Sequence, residues 1–152
     1  MSNSNFNAAA NEVLALNQRL LDSIAAGDWA AYEALCAPDL TCFEPETLGH
    51  LIEGMAFHKF YFDLGASNGP RNVTMASPHV RLLGNDAAIV SYTRLVQRLN
   101  AENSPVTSQV EETRVWQRCT SAVGGVADAE PVPRTASSSN WKLVHVHRSP
   151  PG

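Results

Sequence analysis

The first third of the chain carries apolar residues at the spacing of amphipathic helices. They are Val13, Leu14, Leu16, Leu20, Leu21 and Ile24. This period predicts a helix over residues 8–26, with Asn7 as its N-cap and Gly27 ending it in the left-handed conformation. Asp28 is placed to cap a short second helix, which Pro38 stops.

Short elements alternate with breaks in the segment that follows. We predict a strand at residues 40–43, which ends at the Glu-Pro-Glu sequence of residues 44–46. A loop or a single turn is expected at residues 47–52. Residues 55–63 predict a third helix, whose crowded aromatic side chains are expected in the core. Residues 64–71 have the composition of a loop.

Beyond residue 72 the period changes from helical to strand-like. Four long strands are predicted, at residues 72–83, 87–99, 106–118 and 141–148. Pro78 indicates an edge or a bulge in the first of them, and Gly84-Asn85-Asp86 is a hairpin signal. Residues 120–140, rich in Ser, Ala, Gly and Pro, predict a mobile loop.

Helices followed by a meander of antiparallel strands predict an α+β fold in which the helices cover one sheet face. A strongly curved sheet wrapped round a helix makes a cone with a central cavity at its open end. The length of 152 residues fits one domain over residues 1–152, with a flexible N-terminus at residues 1–7.

The composition of the chain indicates which kinds of partner and which cellular compartment to expect. The net charge of −4, with no basic run, gives no electrostatic reason to expect a nucleic-acid partner. No apolar stretch approaches the roughly 18 residues that span a membrane, and the polar N-terminus lacks the apolar core of a secretory signal. The three cysteines, Cys36, Cys42 and Cys119, lack CxxC spacing and indicate reduced thiols in a cytoplasmic protein.

Three arginines interrupt strand faces that are otherwise mostly apolar. Because side chains two residues apart share a face, Arg94, Arg114 and Arg148 can all project from adjacent or near-adjacent strands into a common cavity. The parity of Arg148 is ambiguous, since Trp141 and Leu143 fall on the other face of its strand.

Two explanations of these arginines are open at this point, because an arginine on an apolar face needs an anion to meet it. Each could pair with an internal carboxylate, for which the candidates are Glu44, Glu46, Glu53 and Glu112. Together they could instead form a pocket for an external anion. Planar guanidinium donors suit a bidentate carboxylate in either case.

Other residues with reactive side chains carry weaker signals. His58 lies among aromatic residues, where a hydrogen-bonded structural role is favoured over a functional one. His145 and His147 alternate with valines and are expected to pack, and no third ligand has helpful spacing, so we expect no metal site. The chain has no nucleophile elbow, P-loop or dinucleotide fingerprint, so we expect neither a cofactor nor a catalytic set.

Several long strings of residues resemble one known family. They are residues 42–49 (CFEPETLG), 52–62 (IEGMAFHKFYF), 78–80 (PHV), 111–116 (EETRVW) and 145–149 (HVHRS). In this order they are similar to the association (hub) domain of calcium/calmodulin-dependent protein kinase II, and the match covers residues 10–149. The resemblance implies a cone-shaped α+β fold of the nuclear-transport-factor-2-like superfamily.

The same resemblance implies a function. It implies self-assembly into two stacked rings built from dimers, which in the kinase raises the effective concentration of kinase domains for one another. It also implies a cavity for small carboxylates, whose positions map onto Arg94, Arg114 and Arg148, with His58 at the mouth. Residues 64–71 lack the tryptophan of animal hubs at this mouth, and the 120–140 segment replaces a tight turn.

We therefore expect a non-catalytic oligomerisation hub that scaffolds partners. The expected partners are further copies of the chain, a protein kinase or kinase-derived segment, and a small carboxylate or acidic peptide segment in the cavity. The alternative is a ketosteroid-isomerase-like small-molecule enzyme that uses the same cavity, since one fold hosts many functions.

Overall fold

The computed structural model describes residues 3–66, 69–119 and 140–152, with side chains from residue 7 onward. Its elements in chain order are α1 (Asn3–Ala26), α2 (Trp29–Leu35), β1 (Cys36–Phe43), a 3₁₀ turn (Pro45–Thr47), β2 (Ile52–Glu53), α3 (Ala56–Asp63), β3 (Arg71–Leu83), β4 (Ala87–Leu99), β5 (Pro105–Arg118) and β6 (Trp141–Arg148). The loop predicted over residues 120–140 lies, apart from Asn140, outside the described residues. No helix of the described part is long and apolar enough to cross a membrane.

The strands form one curved six-stranded sheet in the order β2-β1-β6-β5-β4-β3. Strands β3 to β6 make the predicted antiparallel meander. Strand β1, predicted at residues 40–43, spans Cys36–Phe43 and lies outside the antiparallel meander: it pairs parallel with β6, with Thr41 opposite His145 and Cys42 opposite Val146. Ile52, predicted in a loop, pairs with Cys42 in the two-residue strand β2. A strand this short shows no period in the sequence.

Helix α1 begins at Asn3 rather than at residue 8, so the predicted cap at Asn7 is wrong. Adding residues to a helix that has already nucleated costs little, and polar residues can therefore extend it beyond its apolar period. Its predicted end is confirmed, because Gly27 has a φ of +68°. Asp28 caps α2 as predicted, accepting a hydrogen bond from the Ala31 N–H at 3.1 Å.

The core lies between α1 and the sheet. The apolar stripe of α1 is buried as predicted, with Val13, Leu20 and Leu21 fully covered. Across from it, Trp116 of β5 and Trp141 of β6 are also buried. The N-terminal helices therefore pack on one face of the sheet, and the other face carries the more exposed alternating residues.

A bulge in β6 explains on which face of the sheet the Arg148 side chain lies. Leu143 stands opposite Trp116, whereas His145 stands opposite Val115, so Val144 is one extra residue in β6. Leu143 is therefore buried on the same face as Val146, although strict alternation would separate them. Strict alternation from Arg148 would put Val144 on its face, and the bulge makes that expectation wrong.

Strand β3 has a second bulge, at the predicted proline. Ser77 and Pro78 together stand opposite a single residue of β4, and Ser77 has a φ of +51°. Because β3 is also the last strand of the sheet, Pro78 lies both at an edge and at a bulge. The prediction for Pro78 is confirmed.

The aromatic residues of α3 do not all enter the core. Phe62 packs against Trp29 and Tyr32, with ring centroids 5.3 and 4.8 Å away. Phe60 and Tyr61 are instead 60% and 42% exposed. A helix of eight residues has one inward face, so it cannot bury every member of such a cluster.

Asn17 links helix α1 to the sheet through a buried hydrogen bond. Its side chain is fully buried, and its Oδ1 accepts from the indole N–H of Trp116 at 3.1 Å. A buried donor that loses its partner retains the whole cost of its desolvation.

The Asn17→Ala substitution should lower the free energy of unfolding by about 1–3 kcal/mol, because it leaves the Trp116 N–H unpaired. Asn11→Ala, on the exposed side of the same helix, is the matched control and should stay close to the wild type. Urea denaturation of the three proteins at one fixed concentration measures this. Equal midpoints for the two variants would contradict the assigned role of Asn17.

Candidate functional site

A pocket of about 210 Å³ opens between the helices and one end of the sheet. The residues that line it include Arg94, Arg114, Arg148, His58, Glu44 and Glu46. The structure therefore brings together all four residues for which a ligand role is predicted. Aromatic side chains of α2 and α3 form part of the remaining wall.

Adjacent strands position the three arginines. Arg94, Arg114 and Arg148 lie on β4, β5 and β6, which are neighbours in the sheet. The register places Glu112 of β5 directly opposite both Tyr92 of β4 and Arg148 of β6. Strand geometry thus sets one carboxylate in the middle of the arginine cluster.

Glu112 is the centre of a buried ionic network at the deep end of the pocket. Its side chain is fully buried, with Oε1 lying 3.1 Å from Nη1 of Arg94 and Oε2 lying 3.2 Å from Nε of Arg114. The Tyr92 hydroxyl donates to Oε2 of Glu112 and accepts from Nε of Arg114 at 2.9 Å. One carboxylate therefore faces two guanidinium groups, which leaves a formal charge of +1.

The charges of this network persist at neutral pH. Burial acts to raise the pKa of Glu112, but the charges of Arg114 and Arg94 outweigh it and hold that pKa below its ordinary value. Burial acts to lower the pKa of Arg114, but Glu112 outweighs it and the pKa lies well above its usual range. The deep end is therefore ionised.

Two guanidinium nitrogens of the deep end are buried and lack a hydrogen-bond partner within the described residues. They are Nε of Arg94 and Nη1 of Arg114. Buried donors of native proteins are nearly always paired, so such groups call for an acceptor. Both nitrogens belong to side chains that line the pocket.

The mouth of the pocket has the opposite balance of charge. Nη2 of Arg148 lies 2.6 Å from Oε2 of Glu46 and 3.8 Å from Oε2 of Glu44. The Thr47 hydroxyl donates to the Glu44 carbonyl at 2.9 Å and steadies the 3₁₀ turn that carries both glutamates. One arginine between two carboxylates leaves a formal charge of −1.

The first explanation of the arginines, pairing with internal carboxylates, is confirmed, and the pocket for an external anion stays a prediction. Each arginine has an internal carboxylate partner, and each also lines the pocket. Of the four carboxylate candidates, Glu44, Glu46 and Glu112 take part. Glu53 does not belong to the pocket lining and pairs with Thr41 at the far edge of the sheet.

His58 is a buried side chain with one ring nitrogen committed and one free. Its Nδ1 lies 3.0 Å from the Tyr32 hydroxyl, and its Nε2 has no hydrogen-bond partner among the described residues. Burial lowers the pKa of His58, an effect that Glu44 opposes only in part. The ring is therefore neutral at neutral pH, and its tautomer decides whether Nε2 donates or accepts.

Cys42 lies beside Glu44 and His58 at the wall of the pocket. The sequence did not indicate it as a site residue. Its side chain is fully buried, and burial raises the pKa of its thiol to about 12. The two-residue step from Cys42 to Glu44 on an extended chain is the one sequence signal that places both on the same side. The neighbouring His145 and His147 pack against Phe43, with ring centroids 6.3 and 5.5 Å away.

Solved structures with distant sequences share this fold. A nuclear transport factor 2-like superfamily protein from Salmonella enterica is 20% identical with a TM-score of 0.66, and the match covers 97% of this chain and 94% of that chain. The predicted nuclear-transport-factor-2-like α+β fold is confirmed.

Two structures of hub domains are much more similar in sequence. The association domain of CaMKII from C. elegans is 38% identical with a TM-score of 0.81, covering 97% of this chain and all (100%) of that chain. The CaMKII hub homology domain from Chlamydamonas reinhardtii is 45% identical with a TM-score of 0.76, covering 93% of this chain and 97% of that chain.

A curated relative and a family model lead to the same assignment. The delta subunit of rabbit (Oryctolagus cuniculus) calcium/calmodulin-dependent protein kinase type II is 41% identical over 144 residues, which is 93% of this chain and 24% of that protein. The chain thus spans about a quarter of the length of this relative. The model of the "calcium/calmodulin dependent protein kinase II association domain" matches residues 9–122. The chain belongs to this association-domain family.

Proposed function

We propose that this chain is a non-catalytic oligomerisation hub of the cytoplasm, which assembles into two stacked rings built from dimers. The observation that carries the proposal is the match to the association-domain family over most of the chain. Such an assembly holds its partners close together and raises their effective concentration. The partner we assign to it is a protein kinase or a kinase-derived segment.

Apolar side chains on the isolated subunit support self-assembly. Leu48, Leu51, Phe60 and Leu64 are large and are 84%, 53%, 60% and 69% exposed. Leu48 also has a φ of +53°, a conformation that costs a residue with a Cβ about 1–2 kcal/mol. Its backbone N–H closes the 3₁₀ turn by donating to the Pro45 carbonyl at 3.2 Å, while its side chain stays exposed on the subunit, where contact with another subunit would bury it.

The pocket is assigned to a small carboxylate within this hub. The deep end supplies a net positive charge and two unpaired donors, which suit a carboxylate, while aromatic residues such as Tyr32 and Phe62 suit a short apolar body. An acidic peptide segment would meet the net negative charge of Glu44, Glu46 and Arg148 at the mouth. A single small acid therefore fits the charges better than an acidic peptide.

The same charges favour binding over catalysis. A general base works best with a pKa near the operating pH. The pKa of Glu112 is held below its ordinary value, and Glu46 at the mouth forms a 2.6 Å ion pair with Arg148. Both carboxylates are therefore weak bases, which favours binding over a ketosteroid-isomerase-like reaction at these two residues.

Light scattering coupled to size exclusion tests the assembly. We expect one closed species, many times the 16.4 kDa mass of the subunit and unchanged on moderate dilution, because each subunit of a ring is held by two neighbours. A stable monomer or simple dimer would contradict the proposed hub.

Calorimetric titration with acetate and butyrate tests the pocket. Arg94→Gln and Arg114→Lys should each weaken binding roughly tenfold or more, because a hydrogen bond to a charged group contributes about 1.5–3 kcal/mol. Lysine keeps the charge at 114 but loses the guanidinium fork. Arg98→Gln, on the exposed end of β4, is the matched control. Equal affinities in all four proteins, with folding intact, would rule out the assigned ligand site.

The pH dependence of stability tests the central ion pairs. Glu112→Gln leaves two buried guanidinium groups without their anion and should destabilise the fold by about 3–5 kcal/mol at pH 7. A carboxylate whose folded-state pKa is depressed contributes stability above its unfolded pKa and loses it as the pH falls through the folded value.

The difference in melting temperature between wild type and Glu112→Gln should therefore be largest at neutral pH and shrink below a pH of about 4. Asp39→Asn, at an exposed position of β1, serves as the control for removal of a carboxylate. A difference that stays constant from pH 7 to pH 3 would show that Glu112 is not held ionised by the arginines.

A further inference from the structure

Three side chains with metal-ligating atoms meet beside the mouth of the pocket. They are Cys42, Glu44 and His58, and one ligand atom of each lies within 4.8 Å of the other two. Strand β1 ends at Phe43, between the first two, while His58 comes from α3. The cluster therefore joins two elements that the sequence separates by a turn and an edge strand.

The state of His58 is a second and independent sign of a ligand. Its side chain is only 5% exposed, yet Nε2 has no hydrogen-bond partner among the described residues. A metal-binding histidine usually has its other ring nitrogen fixed by a hydrogen bond, and here the Tyr32 hydroxyl lies 3.0 Å from Nδ1. With the proton on Nδ1, the lone pair of Nε2 is available to a metal ion.

The three ligand atoms lie within 4.8 Å of one another, a limit that exceeds the ligand spacing of a tetrahedral zinc site by about 1.5 Å at most. Zinc bonds of about 2.0–2.3 Å put neighbouring ligand atoms roughly 3.3–3.8 Å apart. Rotation of side chains about their χ angles can close a difference of this size. Glu44 is the less tightly held of the two mouth carboxylates, since Arg148 lies 3.8 Å from it but 2.6 Å from Glu46.

The local charges also suit a cation at this place. Arg148, Glu44 and Glu46 carry a formal charge of −1 together, in contrast to the positive deep end. When the metal–sulfur bond forms, the Cys42 thiol releases its proton to solvent. The resulting thiolate and the Glu44 carboxylate then balance a divalent ion, which lowers the cost of ionising a buried thiol.

We propose that Cys42, Glu44 and His58 form a binding site for a divalent ion of the zinc class, with the fourth position facing the pocket. A mixed set of sulfur, nitrogen and oxygen donors suits zinc or cobalt rather than magnesium or calcium. Glu44 and His58 line the pocket, so a water molecule or a carboxylate oxygen can complete the coordination. The expectation of no metal site rests on motif spacing, which these three positions lack.

Cobalt binding to the purified, assembled protein tests this site. After treatment with a chelator and its removal, titration with Co²⁺ should give one ion per subunit and a thiolate-to-cobalt charge-transfer band, which Zn²⁺ then abolishes by displacement. Cys42→Ser and His58→Gln should each lose the band. Tyr32→Phe should keep it but weaken binding roughly 10- to 100-fold, since the phenol orients the ring.

Matched controls separate this cluster from other thiols and imidazoles. Cys119→Ser, at an exposed cysteine, and His147→Ala, on the outer side of β6, should behave as the wild type. If Cys42→Ser fails to fold, Glu44→Gln replaces it, and it should lower the cobalt affinity while keeping the sulfur band. Absence of the band in the wild type, or its persistence in folded Cys42→Ser, would overturn the proposal.

The same samples separate a failure of this site from a failure of the proposed hub. Cys42 is not part of the pocket lining, so its substitution should leave the assembly mass, and the acetate affinity of the metal-free protein, unchanged. An intact ring that binds acetate but no stoichiometric cobalt would contradict the metal site alone.

Discussion

A carboxylate buried between two arginines is the interaction on which the site depends. Glu112 is fully buried, and Arg94 and Arg114 reach it from neighbouring strands at 3.1 and 3.2 Å. Removing one buried charge from such a network leaves its partners without a counter-charge, so substitution of any of the three residues destabilises the other two. Because two cations share one anion, the network also leaves a positive surplus and buried donors without a partner among the described residues. The fold at this end of the sheet and the proposed binding site thus depend on the same network.

The backbone that holds this network has two features that position it. The bulge at Val144 lets β6 bury Trp141 and Leu143 beside α1 and still turn Arg148 toward the mouth of the pocket. The parallel pairing of β1 with β6 brings Cys42, and Glu44 just beyond the strand, to the same end. The pocket therefore has a positive deep end built from the meander and a negative mouth built from β1 and the 3₁₀ turn. Small acids and divalent cations would meet different ends of one site.

The sequence predicted those parts of the fold that depend on local periodicity. The helical spacing of Val13, Leu20 and Leu21 predicts α1. The alternation of apolar residues around Arg94 and Arg114 correctly places both arginines on the helix-covered face of the sheet. Features that depend on pairing between distant strands could not be predicted from the sequence. No local pattern shows that Val144 is an extra residue in β6. The meeting of Cys42 with His58 likewise follows from the turn of the chain between β1 and α3, which periodicity does not encode.

Native mass spectrometry in volatile buffer, first without small acids and then with added butyrate, examines the assembly and the pocket in one experiment. We expect one closed oligomer of intact subunits that gains up to one butyrate per subunit, with the gain lost in Arg94→Gln. A spectrum of monomers or simple dimers would contradict the hub. A closed oligomer that gains no butyrate would contradict the pocket built around Glu112.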